Sequence, residues 1–364
     1  MNKIENYDKN MVAKCILEDE SFKYFDVKDA PFRIEGLAWF DKEKKFYRLP
    51  YNAKDKVSEA VAWLASHPSG AQVYFHTNSK IINIKVILND VANMIHMAAT
   101  GQTGFDLYFK TPNMSEYQFF TTSTYPYGQK EYNVTIFKSD VKFEKDILIN
   151  FPLYMGVKEV QIGIEKDALL SEANNHKNFG KIVVYGTSIT QGGCVSRPGM
   201  SYTNLLSRKL DYEFINLGFS GNGLGEPIMA KFINEINDVK MIVLDYDANG
   251  GVTGHLEKYL NEFLDILRSH FKTTPILIIT KPPFSNYVFL EQEIETRKRV
   301  FDFQKNTVKN RRKKDKNLYF YDGNKLFGTE DYYESLVDGI HPNDLGFYRI
   351  FKHLYPVFKK ILKK

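Results

Sequence analysis

Cysteine is scarce in this sequence: Cys15 and Cys194, in different halves, are the two among 364 residues. Neither belongs to a C-x-x-C pair or to a Cys/His spacing of the kind that holds zinc, so a disulfide framework and a sequence-encoded metal finger are both excluded. Such sparing use fits a reducing compartment. Long hydrophobic runs are missing as well. A stretch such as 275–279 falls far short of the ~20 apolar residues that span a bilayer. The opening residues Met1, Asn2, Lys3, Ile4 and Glu5 contain no apolar leader core, which predicts a cytoplasmic chain. Charge of one sign is also in short supply. Lys+Arg total 49 against 44 Asp+Glu, a net +5, too mild to indicate nucleic acid. A soluble protein with no nucleic-acid partner and no membrane partner is expected.

What is present divides the chain in two. The sequence is 43% hydrophobic and 26% charged, ordinary globular usage, and its length suggests two or three domains at ~150 residues each. Up to about residue 164, segments such as 73–76, 80–88, 117–122, 132–137, 147–151 and 160–164 cluster or alternate β-branched and aromatic residues. Turn residues separate them, and 55–66 alone reads as a helix. Many short strands of this kind predict an antiparallel β-sandwich, jelly-roll-like. The polar stretch 166–177 reads as a linker, giving domains over 1–170 and 171–364. Beyond it, the short apolar runs 181–185, 214–217, 241–245 and 276–280 alternate with helical periods such as 255–271. Strands buried on both faces and separated by helices predict an α/β fold with a parallel sheet. Residues 345–362 read as a final core-packed helix, bent at Pro356.

In such a sheet, functional groups gather beyond the carboxyl ends of the strands. The first strand of the second half runs into Gly186-Thr187-Ser188, a glycine turn that lifts a serine to the start of the next helix. The lipase-type G-x-S-x-G elbow is not matched, because Thr190 holds the last glycine position. Taken alone, a serine in a turn is the blander reading. The next strand ends near Gly218 and Gly221, where glycine lets the backbone offer an N–H to a ligand; an ordinary tight turn explains it equally. The third reaches Asp245-Tyr246-Asp247-Ala248-Asn249. Asn249 can supply a side-chain N–H there, whereas D-x-D without a further acid or histidine cluster is a poor metal site. Near the C-terminus stands Asp338-Gly339-Ile340-His341-Pro342. A carboxylate three residues before a histidine can accept the Nδ1 proton and leave Nε2 as a base. Entry into the last helix explains the same proline.

Together these segments supply a nucleophile, two oxyanion donors and an oriented base in the order Ser, Asp, His. The set resembles the SGNH (GDSL-type) hydrolase family. Ser188 matches the nucleophile, Gly221 and Asn249 the oxyanion glycine and asparagine, and Asp338 with His341 the remaining pair. Gly186-Thr187-Ser188 departs from the family's Gly-Asp-Ser, and Asp247-Ala248-Asn249 replaces its glycine-rich third block. Gly104-Phe105-Asp106-Leu107-Tyr108 resembles the G-x-D-L-Y signature of a sandwich domain that precedes SGNH-type esterases in one bacterial subgroup, and 192–199 is similar to that subgroup too. The resemblance implies a flavodoxin-like α/β/α catalytic domain and a serine esterase acting on short-chain, acetyl-type esters of a carbohydrate. It implies no metal and no organic cofactor. An acyltransferase on the same scaffold is the alternative, and a sugar-binding protein with a dead hydrolase half is another. The expected partner is a small-molecule or oligosaccharide ester, with the oligomeric state left open. His96 and Arg197 are candidate substrate-binding residues, against a packing turn for the first and a structural salt bridge for the second. Cys194 reads as packing, and the basic run 309–314 as a solvated helix face.

Overall fold

The computed structural model describes residues 4–17 and 19–363. Met1, Asn2 and Lys3, read above for a leader, lie outside the described residues. In chain order the strands are β1 (Phe22–Asp26), β2 (Arg33–Glu35), β3 (Gln72–Thr77), β4 (Ile81–Leu88), β5 (Asp106–Lys110), β6 (Gln118–Thr122), β7 (Glu131–Lys138), β8 (Lys145–Asn150), β9 (Val157–Glu165), β10 (Leu170–Ser171), β11 (Lys181–Gly186), β12 (Glu213–Gly218), β13 (Val239–Asp245), β14 (Ile276–Ile279) and β15 (Leu318–Tyr321). The first ten form two antiparallel sheets, β1-β9-β4-β7 and β10-β3-β8-β5-β6 with β2 on β3. Their inward residues, among them Val73, Phe75, Ile84, Leu107 and Ile149, share one core. This alternation of buried faces is what makes two stacked sheets stable.

The last five strands make a parallel sheet in the order β12-β11-β13-β14-β15. Successive residues of β11 face opposite layers. Val183 and Tyr185 enter one core, Ile182 and Val184 the other. The helices Pro227–Ile233 and His255–His270 cover the first face; Tyr202–Leu210 and Asp344–Leu362 cover the second. The fold is thus mixed α/β, an α/β/α layer structure following antiparallel sheets. Because β11 is flanked by β12 on one side and β13 on the other, sheet growth reverses there. That reversal opens a crevice at the carboxyl edge of β11.

The helix Glu59–Ala65, capped by the Ser58 hydroxyl at the Val61 N–H, does not join the sandwich core. Its Val61 and Leu64, with Leu49 and Ala53, pack against the parallel sheet. Residues 49–65 therefore lie between β2 and β3 in sequence but cover the other half's core.

The 166–177 segment carries a clamp. His176 accepts or donates at both ring nitrogens, with Glu35 at 2.6 Å and Asp211 at 2.7 Å. Burial opposes its protonation, but the Asp211 and Glu35 carboxylates prevail and raise it to about 9. A histidine raised above its ordinary 6.5 contributes stability that is full below pH 6.5 and lost as pH climbs through 9. Thermal melts should accordingly show a decline between those pH values, on the order of 3 kcal/mol at most. His176→Gln should melt lower at pH 6 and lack that decline; an unchanged pH profile in the variant would remove the clamp.

Candidate active site

Parallel pairing sets Gly186 opposite both Gly218 and Asp245, so the turns after β11, β12 and β13 leave the sheet side by side. They can do so because Gly218 has no side chain. A Cβ there would stand 2.3 Å from the Gln191 nitrogen and 2.8 Å from the Thr187 oxygen. Ser188 begins the short helix Ser188–Gln191 and is 7% exposed. Its Oγ lies 3.0 Å from His341 Nε2. On the far side of the ring, Nδ1 lies 2.7 Å from Asp338 Oδ2.

The histidine loop is closed by its own backbone. Val337 N–H donates to His341 O at 2.8 Å, and Leu336 bridges to Pro342. Asn343 then caps the last helix through the Gly346 N–H at 3.0 Å. Within the loop, Asp338 Oδ1 accepts from the backbone N–H groups of His341 at 2.7 Å and Ile340 at 3.0 Å. Partial burial raises the Asp338 carboxyl, yet the backbone and ring donors of His341 and the Ile340 N–H outweigh it and hold the group down to about 2. A carboxylate kept ionised in this way accepts the Nδ1 proton and leaves Nε2 facing the serine.

Gly221 sits at φ +68° in the turn after β12, with open space where a side chain would point. Asn249, on the turn Asp247–Gly250, accepts the Gly223 N–H through Oδ1 at 3.3 Å. This contact fixes the amide and keeps its NH2 group for another acceptor. The D-x-D acids face inward. Asp245 accepts from Thr190 at 3.0 Å and Tyr202 at 2.7 Å. Burial pushes its carboxyl up to about 7 against those two donors, with Asp247 adding to the rise. Asp247 Oδ2 takes the Lys281 N–H and the Gln304 amide, each at 2.9 Å. Thr190, Tyr202 and Asp245 form a buried network beneath the serine turn that no sequence spacing announced.

The first half of the chain reaches the site. Thr100 donates to Ser196 O at 2.6 Å, and Met97 joins the core around Ile189 and Cys194. This seating places the exposed His96 ring 5.7 Å from that of His341. Potential ligand atoms of His96, Cys194 and His341 all fall within 4.8 Å of one another, a convergence invisible in linear spacing. The buried Cys194 thiol is pushed up to about 12 by burial and by the Asp338 charge, so it is a poor thiolate donor and a packing residue.

Arg197, considered for the substrate pocket, is a structural residue instead. Its guanidinium donates to Asp106 at 2.7 Å and Tyr108 at 2.6 Å and lies 3.7 Å over the Phe119 ring. Asp106 is fully buried and also takes the Gly199 N–H at 2.8 Å and the Asn150 amide at 2.7 Å. The G-x-D-L-Y aspartate is thus the socket by which the sandwich holds the loop preceding Tyr202–Leu210.

Comparison with known proteins agrees with this architecture. Residues 180–359 match the GDSL-like lipase/acylhydrolase family, and residues 22–170 match the GxDLY family, described as the N-terminus of SGNH-hydrolase-type esterases. A solved structure described as a GDSL-like lipase from Bacteroides ovatus is 32% identical over 94% of this chain and 98% of its own, with a TM-score of 0.86. The salicylyl-acyltransferase SsfX3 from a tetracycline biosynthetic pathway is 16% identical over 94% and 98%, at 0.76. A family two carbohydrate esterase from Cellvibrio japonicus is 12% identical over the same shares, at 0.60; these two share the fold. Curated proteins give no match. No helix among the described residues is long and apolar enough to cross a membrane.

Proposed function

The chain belongs to the GDSL-like lipase/acylhydrolase family, and from that premise we propose that it is a serine esterase removing short-chain, acetyl-type acyl groups from a carbohydrate or glycoside alcohol. The observation that carries the reading is the unbroken line Ser188 Oγ, His341 and Asp338, with separations of 3.0 and 2.7 Å. His341 Nε2 takes the Ser188 proton as Oγ attacks the ester carbonyl. The oxyanion is received by the N–H groups of Ser188 and Gly221 and by the Asn249 amide. Asp338 holds the imidazole in the productive tautomer and stabilises its cation. The protonated ring then delivers its proton to the departing alcohol, and water, activated by the same nitrogen, releases the acid. A short acyl group suits a nucleophile that is 7% exposed.

His96, presented by the sandwich half beside His341, is positioned to meet the alcohol portion. A panel of acetylated sugars and longer acyl esters tests the assignment. We expect kcat/KM to be highest for the acetylated sugars, and His96→Ala to reorder the alcohols by about tenfold while its melting temperature stays near that of the native chain. Equal rates on every ester would overturn the substrate class. Acyl transfer to an added alcohol faster than hydrolysis would reassign the chain as an acyltransferase.

A further inference from the structure

A second polar feature lies along the same sheet edge. Just beyond β14, a crevice of about 250 Å³ is lined by Lys281, Phe284, Tyr287, Glu293, Ile294 and Tyr332 among others. Two contacts fix it between the proposed catalytic loops. The Lys281 N–H bonds Asp247 on the turn that carries Asn249, and the Ser285 N–H donates to Gly339 O at 3.0 Å beside Asp338. In the sheet order, β14 stands two strands from β11, about 10 Å from the serine strand at ordinary spacing.

The crevice walls are mostly aromatic and aliphatic, with the Arg297 guanidinium engaged by the Pro282 and Lys281 carbonyls and by Asn324, yet two of its polar atoms have no hydrogen-bond partner among the described residues. Lys281 is 3% exposed, and its ammonium makes no hydrogen bond among the described residues; it stands 5.9 Å from the Phe284 ring centroid. Glu293 Oε2 is buried without a hydrogen-bond partner among those residues. The buried Glu293 oxygen left unmet carries a free-energy cost, and the Lys281 ammonium, on a side chain otherwise buried, meets only what solvent the crevice admits. A ligand that supplies one donor and one acceptor against a flat apolar face meets the carboxylate oxygen and gives the ammonium a partner.

We propose that this crevice is a binding subsite for an oxygen-substituted aromatic ring, a phenolic group carried by the ester. Lys281 donates to one ring oxygen and Glu293 accepts a hydrogen bond from a neighbouring hydroxyl, with the ring between Phe284, Tyr287 and Tyr332. Size agrees, since a cavity of about 150 Å³ suffices for benzene. Burial, helped by the Arg297 charge, lowers the Lys281 ammonium against the opposing Asp247 and Glu293 carboxylates. The assignment rests on the serine-esterase reading and extends its substrate. The ring belongs either to an aromatic aglycone on the alcohol, which keeps the short acyl group of that reading, or to a bulkier acyl group, which would replace it.

Calorimetric titration of the full chain with catechol tests the subsite directly, with toluene and methyl β-glucopyranoside as comparators. Catechol should bind at least tenfold more tightly than either. Lys281→Met and the isosteric Glu293→Gln should each weaken it about tenfold, with thermal melts reporting that both variants fold. Equal binding of toluene, tighter binding of the glucoside, or catechol affinity unchanged in both variants would overturn the proposal. The source of the ring follows from two kcat/KM ratios: methyl 3,4-dihydroxybenzoate over methyl benzoate, and 2-(3,4-dihydroxyphenyl)ethyl acetate over 2-phenylethyl acetate. A ratio of ten or more marks the acyl or the alcohol side respectively, and two ratios near one would overturn the link to substrate. Catechol binding that persists while Ser188→Ala still hydrolyses esters would sink the esterase reading and leave the subsite standing.

Discussion

Ser188→Ala is expected to lower kcat on p-nitrophenyl acetate by on the order of 10⁴-fold or more and to leave the fold in place. The two halves of that expectation have separate causes. Activity is lost because Oγ is the atom proposed to form the acyl bond, and no other hydroxyl among the described residues bonds the His341 ring. The fold survives because residue 188 serves its surroundings through the backbone. Its carbonyl accepts the N–H groups of Gly192 at 2.9 Å and Gly193 at 3.0 Å and the Tyr154 hydroxyl at 3.2 Å, and alanine keeps all three. His341→Ala should be as damaging, and the double variant little worse than either single one, since groups that act as one unit are not additive. Steady-state rates with a fluorophosphonate labelling assay provide the measurement. Retained turnover or retained labelling in Ser188→Ala would end the case for serine chemistry.

The site was readable from the sequence to the extent that backbone geometry dictates it. Glycine at the ends of β11 and β12 announced tight turns, and a parallel sheet brings such turns together whatever the rest of the chain does. Asp338 and His341 were legible because three residues of separation already allow a carboxylate to reach the ring. The features that no local spacing encodes depend on contacts across the fold. Arg197 could have been a pocket residue or half of an ion pair. The deciding partner, Asp106, lies 91 positions away. The helix Glu59–Ala65 looked like part of the sandwich because its neighbours in sequence are strands, but its apolar face matched the uncovered layer of the parallel sheet. His96, Cys194 and His341 come from three loops, so no periodicity could have paired them. The Lys281 and Glu293 groups that meet in one crevice are features of a cavity, and a cavity has no signature in one dimension.

The deepest of these cross-fold dependencies is Arg48, and its replacement should cost about as much as stability changes from single side chains reach. Arg48 is 1% exposed. Its guanidinium donates to His67 O at 2.7 Å, Leu64 O at 2.8 Å, Asn216 O at 3.2 Å and the Gly218 carbonyl, while lying 4.6 Å over the Phe219 ring. Leu64 and His67 lie at the end of the helix that roofs the parallel sheet; Asn216 and Gly218 end β12, immediately before the Gly221 turn. One side chain therefore satisfies carbonyls from both halves. Its acceptors among the described residues are carbonyl oxygens, not carboxylates, and burial lowers the guanidinium to about 9, with Tyr154 and Tyr47 opposing the fall. It is still a cation at pH 7, held by carbonyl dipoles. Arg48→Met keeps much of the volume but takes a donor from four buried carbonyls, of which those of Leu64 and His67 keep a backbone N–H, and should remove about 3 kcal/mol. Arg48→Lys should recover less than half of that, because an ammonium cannot reach four carbonyls spread around a planar fork. Denaturant titration of the two variants measures the loss. Hydrogen exchange at the 219–223 amides should accelerate in Arg48→Met under conditions where the β3 and β8 amides remain protected. If those turn amides stay as slow as in the native chain, or the midpoint does not move, Arg48 is not what fastens the β12 edge of the site to the rest of the molecule.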